Sequence, residues 1–368
     1  MIIINQVIQA LNSLSHPSLQ ESYDNCGLLT GLPDWPCSGI ICALDVTEEV
    51  LAECKQTGAN LIVAHHPVIF KPLKNISGWE LPQIIIRKAI KEDIAIFAIH
   101  TNYDNVIEGV NYALALSIGL DPLSLRILAP LKRKIAKLYT YVPQTHKEAV
   151  RTALFEAGGG EIGNYVECSF ETVGTGTFRP LENTNPFIGN AGGVREFAEE
   201  VKLEVIFPIW KQDDVISALK ASHPYEEVAF EVIITENQHQ AIGAGMIGQL
   251  PDPMEAGAFL SHLKGRIGIK SLRHNALRNQ KIKNVAMCGG SGSFLIKNAM
   301  QAGADAFITA DLKYHDFFEG NSHMLLVDAG HYETEITAID QLVNKLQKKF
   351  TTFAVQKTKV YTNPVRYY

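Results

Sequence analysis

The chain has 368 residues, 46% of them hydrophobic and 20% charged, with a formal net charge of −6. That length exceeds the usual size of one core, so two or three structural units are expected, and the composition is that of a globular chain rather than a disordered or polycationic one. A broad basic face for nucleic acid is disfavoured, and no apolar stretch reaches membrane-spanning length before Lys, Arg or Asp interrupts it, as in IIIRKAIKEDIAIFAIH.

The start, MIIINQVIQALNSL, reads as a short strand or turn running into a helix, without the basic region or cleavage site of an export signal, so a cytoplasmic protein is expected. Six cysteines (Cys26, Cys37, Cys42, Cys54, Cys168, Cys288) form no CxxC pair and are expected to be buried thiols. Residues 39–66 read as strand, amphipathic helix with Val50, Leu51 and Cys54 recurring, and strand, ending on His65 and His66. The apolar run from Ile94 to His100 is a third strand, leading into TNYD and Asp104.

Residues 134–236 differ in character. Each end combines a strand with a helix, SFETVGTGTFRP and LEVIFPIW look like strands, and a helix is expected around Gly193 to Val201. This stretch is read as an inserted domain, leaving a discontinuous core of residues 1–130 plus 240–368. Residues 282–311 then repeat the strand–helix–strand plan, and TGANLIVAHH aligns without gaps onto AGADAFITAD, so the core contains a duplicated βαβ unit. A further strand, His323 to Val327, runs into DAGHYETE and a helix whose apolar stripe is Ile336, Ile339, Leu342, Val343 and Leu346.

Polar residues therefore gather at the carboxyl ends of buried strands, the edge along which open α/β sheets bind ligands. Pro67 holds His66 extended, so His65 and His66 can serve two different ions, or one ring can be exposed and the other bonded to backbone. His331 and Glu335, four apart at a helix start, share a face and can meet one ion; alternatively Glu333 and Glu335 only favour the helix dipole. Asp104 is either a further ligand or an Asx turn or cap before Val106. Two carboxylates would balance the charge that neutral imidazoles leave on a pair of cations. His100, and Tyr314 with His315, can orient ligands or a substrate, His223 has a structural role or helps to build a ligand pocket or an oligomer contact, and the glycines of CGGSGS either expose amides to an anion or allow close strand-to-helix packing.

The set ESYDNCGLLTG, AHHPVIF, HTNYDN, TADLKYHDF and GHYETE, in this order, resembles the dinuclear-metal-centre proteins called GTP cyclohydrolase 1 type 2 homologues, or NGG-one-interacting-factor-three-like proteins. The resemblance covers essentially the whole chain, and FEAGGGEIGNYVECSF, GTGTFRP and HPYEEVAFE are similar to the middle domain of the longer members. It implies that His65, His66, Asp104, His331 and Glu335 ligate two divalent ions (Zn, Fe, Mn, Ni or Co), with Glu335 bridging both. It also implies an α/β fold with a duplicated three-layer core, an inserted α+β ferredoxin-like domain similar to PII proteins, and a ring-like homohexamer. The first functional expectation is a metal-dependent hydrolase of a nucleotide or phosphorylated small molecule, of which GTP ring opening is the version the resemblance implies, with His100 or His315 as candidate proton carriers. The alternatives are a non-catalytic metal- or metabolite-binding regulator that uses the insertion, and a metal-handling scaffold.

Overall fold

Strands buried on both faces need no alternation of polar and apolar residues, and GIICA, LIVA and AIFA are accordingly buried at every position. In the computed structural model, which describes residues 2–277, 281–320 and 323–367, they form the centre of a five-stranded sheet. Its order is Gly27–Thr30, Ala95–Ala98, Leu61–Ala64, Gly39–Ala43 and Ala354–Lys357. The last four are parallel, and Gly27–Thr30 is an antiparallel edge. A six-stranded sheet has the order Arg273–His274, Leu325–Asp328, Ala306–Ala310, Lys281–Ser291, Gln238–Glu255 and Arg126–Lys132. Its second, third and fourth strands are parallel.

The two repeated segments occupy equivalent places in the two sheets. Gly58 (φ 71°) and Gly303 (φ 74°) each make a left-handed turn before the strand, a conformation that favours glycine. Two residues on, the Asn60 carbonyl accepts the Ala95 amide and the Asp305 carbonyl accepts the Leu325 amide, both at 2.9 Å.

The helix Glu48–Gln56 starts where the Thr47 hydroxyl accepts the Val50 amide, and it buries Val50, Leu51 and Cys54. The long helix His331–Lys349 packs against strands of both sheets, which carries its first turn to the strand ends of each. Its buried line runs through Thr334, Glu335, Ala338, Ile339, Leu342, Val343 and Leu346. Glu335 and Ala338 thus stand in the stripe in place of the expected Ile336, which is half-buried. Among the described residues no helix is long and apolar enough to cross a membrane.

The chain divides into two units, Met1–Pro130 with Ala241–Tyr368, and Leu131–Gln240. The second unit runs strand Ile135–Pro143, helix Lys147–Glu156, strands Ser169–Phe178 and Glu196–Pro208, helix Gln212–Ser222, strand Phe230–Ile234. Its sheet order is Ser169–Phe178, Glu196–Pro208, Ile135–Pro143, Phe230–Ile234, all antiparallel, with Val150, Leu154, Val215 and Leu219 of the helices in the core. The helix expected around Gly193 to Val201 is absent. Residues from Glu196 onward are strand, because backbone partners are available on both sides along Ser169–Phe178 and Ile135–Pro143, and Val201, Leu203, Val205 and Phe207 alternate into the core.

Candidate metal centre

His65 and His66 lie just past the strand Leu61–Ala64, where their amides still donate to the Ala43 and Leu44 carbonyls at 3.0 and 2.9 Å. This extension of the ladder fixes their rings 5.0 Å apart and tilted by 47°. His100 precedes the single helical turn Thr101–Asp104, which follows the neighbouring strand Ala95–Ala98 and turns Asp104 back towards His65. His331 and Glu335 come from the first turn of the long helix.

All four histidines are held by one ring nitrogen. His65 Nδ1 bonds the Ile99 carbonyl at 2.9 Å, His66 Nδ1 bonds Asp45 at 2.7 Å, His100 Nδ1 bonds Asp24 at 2.8 Å, and His331 Nδ1 bonds Asp311 at 2.7 Å. Metal-binding histidines are tied in this way, which fixes tautomer and ring orientation and leaves Nε2 free. Glu335 Oε2 lies 3.0 Å from His66 Nε2 and 3.2 Å from His331 Nε2, and those two nitrogens are 3.3 Å apart. Donors about 2.1 Å from one tetrahedral ion must themselves stand roughly 3.4 Å apart, so these spacings suit a shared cation. Glu335 Oε1 faces the other way, 3.8 Å from His65 Nε2, which is 3.6 Å from Asp104 Oδ1. Donor atoms of His65, His66 and His100 also fall within 4.8 Å of one another, as do those of His66, His331 and Glu335, so these clusters could hold a metal ion.

Two further observations test that fit. His65 Nε2, Asp104 Oδ1 and Glu335 Oε2 are buried without a hydrogen-bond partner among the described residues, an expensive arrangement for polar atoms unless a ligand satisfies them. Gly290 (φ 60°) passes so close that a Cβ there would lie 2.3 Å from Glu335 Oε1 and 3.1 Å from His331 Nε2, while one at Gly289 would meet Glu335 Cγ at 3.3 Å. The amides of Gly289 and Gly290 are not exposed to an anion: they donate to Asn111 Oδ1 and Thr334 Oγ1 at 2.9 and 3.0 Å. These glycines make room for the first turn of the helix.

The electrostatics show how strongly the cluster attracts positive charge. Burial disfavours the His66 imidazolium, but the Asp45 and Glu335 carboxylates outweigh it and push its pKa up to about 10. His331, likewise opposed by burial but paired with Glu335 and Asp311, is pushed up to about 9. Burial would raise Glu335, yet the facing imidazoles of His331, His65 and His66 hold it well below the ordinary carboxylate range. His65 is lowered by burial, and Asp104 is raised well above its ordinary value by burial and by the Glu335 charge.

The geometry thus brings His65, His66, Asp104, His331 and Glu335 together, with His100 beside them at 5.2 Å from His65 and 5.4 Å from His66, centroid to centroid. His315 is elsewhere: it is exposed, its ring against Tyr314 and Phe318, outside the lining of the cavity at the cluster. His223 is buried in the second unit, bonding the Tyr141 carbonyl at 3.0 Å and accepting the Tyr225 amide at 3.1 Å.

Sequence reading did not find the roles of Asp45 and Asp24. Asp45 follows the strand Gly39–Ala43 as the histidines follow Leu61–Ala64, and that parallel was the available signal. Asp311, the counterpart of His66 in the repeat, has left-handed backbone (φ 55°), which directs it to both His331 and the Ser291 hydroxyl. Replacing it, Asp311→Asn, is expected to lower divalent-metal affinity about 10- to 100-fold without removing a ligand, measured by competition with a fluorescent chelator. Unchanged affinity would show that the His331 ring needs no such support.

A sequence profile of the family described as Duf34/NIF3 (NGG1p interacting factor 3) matches residues 2–364. A protein named GTP cyclohydrolase 1 type 2 homolog from Halalkalibacterium halodurans is 39% identical over 364 residues, 97% of each chain. One of the same name from Bacillus subtilis is 37% identical over 333 residues, 90% of this chain and 88% of that one. The crystal structure of a Bacillus cereus protein related to NIF3 matches with a TM-score of 0.86 at 38% identity, covering 100% of this chain and 99% of that one. With the profile running almost end to end and relatives this similar over nearly their full length, the chain belongs to the Duf34/NIF3 family.

Proposed function

We propose that the cluster binds two divalent cations, through His65, His66, Asp104, His331 and Glu335, and that the protein is a metal-dependent hydrolase of a nucleotide or other phosphorylated small molecule. The observation that carries this reading is the division of labour at Glu335: Oε2 faces His66 and His331, Oε1 faces His65, so one buried carboxylate addresses two donor sets. The chemistry that such an ion pair supplies is a water acidified towards neutral pH and a polarised phosphoryl group or ring carbon.

The residues around it support a substrate. The cluster opens into a cavity of about 720 Å³ whose walls include Tyr23, Phe70 and Phe294. Tyr23 and Phe70 stack obliquely at 6.2 Å, a surface for a flat ring. No Lys or Arg lines this cavity among the described residues, so substrate phosphates depend on the cations for positive charge. His100, oriented by Asp24, would carry the proton in this reading. The name shared by the curated relatives makes GTP one substrate to include in a test.

The test is to strip the protein with chelator, reload it with Zn, Mn, Fe, Co or Ni, and follow GTP, other nucleoside phosphates and a phosphodiester. Turnover is expected only after reloading and is expected to fall at least about 100-fold in His66→Ala. Turnover that survives chelation, or no turnover of any probe by protein carrying two ions, would overturn the hydrolase reading.

A further inference from the structure

The second unit contains a cavity of its own, about 530 Å³, within the size range of small-molecule sites. Its walls are mainly apolar and aromatic, with Tyr141, Phe178, Leu181, Phe187, Ile188 and Tyr225 prominent. Phe178 and Phe187 each stand 6.1 Å from the Tyr225 ring, so three aromatic faces form one wall.

Against this wall lies a carboxylate. Glu200 is in the strand Glu196–Pro208, only 8% exposed, and its side chain covers Gly176, where a Cβ would come within 2.0 Å of Oε2. Glycine at 176 therefore makes space for that carboxylate. Glu200 Oε1 accepts a hydrogen bond from the Tyr225 hydroxyl at 2.7 Å, and among the described residues it has no cationic partner. Burial and the Glu200 charge push the Tyr225 pKa up, so the phenol stays a donor. Arg179, the one basic residue in the lining among the described residues, is exposed, whereas Glu226 and Glu227 add two carboxylates at exposed positions.

A carboxylate taken out of water without a counter-charge is costly, and an electron-rich aromatic wall attracts cations across its faces. We infer that the cavity bounded by Glu200, Tyr225, Phe178 and Phe187 is a binding site for a small organic cation, a planar or alkylated onium group paired with Glu200 and stacked on the aromatic wall. The residues 179–188 that close one side belong to the connection between the strands Ser169–Phe178 and Glu196–Pro208, and the Asn185 amide fastens it by donating to Glu226 at 2.9 Å. All the lining residues of this site belong to the second unit.

The full-length protein can be titrated with 1-methylnicotinamide, a planar cation, and with nicotinamide, its neutral counterpart, by calorimetry and ligand-observed NMR. The cation is expected to bind at least tenfold more tightly. In Glu200→Gln, which keeps the size and an acceptor for Tyr225, the two probes are expected to bind alike, while Phe187→Ala, at a half-exposed position in the connection, weakens the cation without unfolding the sheet. Equal binding of both probes to the unaltered protein, no binding of either, or a cation preference that survives Glu200→Gln in a protein with normal thermal unfolding would overturn the assignment.

Discussion

Glu335→Gln is expected to lose both ions of the proposed centre on dialysis, with apparent affinity lowered at least about 100-fold, because it removes the carboxylate that, alone among the described residues, faces both donor sets. The amide keeps the shape of the side chain but supplies one neutral oxygen and turns a donor towards the histidines. Metal content by mass spectrometry and a calorimetric titration would read the loss; two ions held at unaltered affinity would remove Glu335 from the centre of the proposal. The same titration carries a pH dependence of defined sign. In the metal-free cluster His66 and His331 have pKa values raised to about 10 and about 9, so at neutral pH both imidazoles carry protons that a cation must displace. Affinity is therefore expected to rise with pH up to that range, by roughly tenfold per pH unit for each proton displaced, with proton release visible as a buffer-dependent heat. In Glu335→Gln that release is expected to shrink, since a shared cause of both raised pKa values is gone.

Gly290→Ala is expected to impair the centre as severely as some ligand changes although residue 290 donates nothing to it. Its φ of 60° is a left-handed conformation that costs a residue with a Cβ about 1 to 2 kcal/mol, and the new methyl would lie 2.3 Å from Glu335 Oε1. Relief requires the carboxylate or the strand to move, and either separates Glu335 from His65. Chelator-treated protein is expected to be destabilised by about 1 to 2 kcal/mol, and the metal affinity to fall at least tenfold beyond that. The comparison of thermal unfolding with and without chelator separates the two effects. Wild-type metal affinity in Gly290→Ala would mean that the glycine serves only the backbone turn.

Much of the core was legible because its cues are local. Unbroken apolar runs ending in His65–His66, near Asp104 and at Asp311 could be read as buried strands with polar carboxyl ends, and the match of TGANLIVAHH with AGADAFITAD exposed the repeat. The HxxxE spacing places His331 and Glu335 on one side of a helix wherever that helix lies. Local cues failed at Glu196–Pro208, where FAEEV has the composition of a helix but backbone partners on both sides make it strand. They also failed at Asp45 and Asp24, whose partners His66 and His100 are 21 and 76 residues away. The buried Glu200 carried no local signal either, since its surroundings come from three strands and two connections, one of which carries its partner Tyr225.

By itself, then, the sequence determined which segments are buried strands, where the chain repeats and which histidines and carboxylates stand at strand ends and at a helix start, since periodicity and composition act over a few residues. Only tertiary structure decided that the first turn of His331–Lys349 reaches the strand ends of two sheets, that each histidine is tied by its Nδ1, and that the two oxygens of Glu335 face different donors. Those outcomes depend on strand order and helix packing, which bring together groups hundreds of residues apart to distances of about 3 Å, a scale that no sequence spacing encodes.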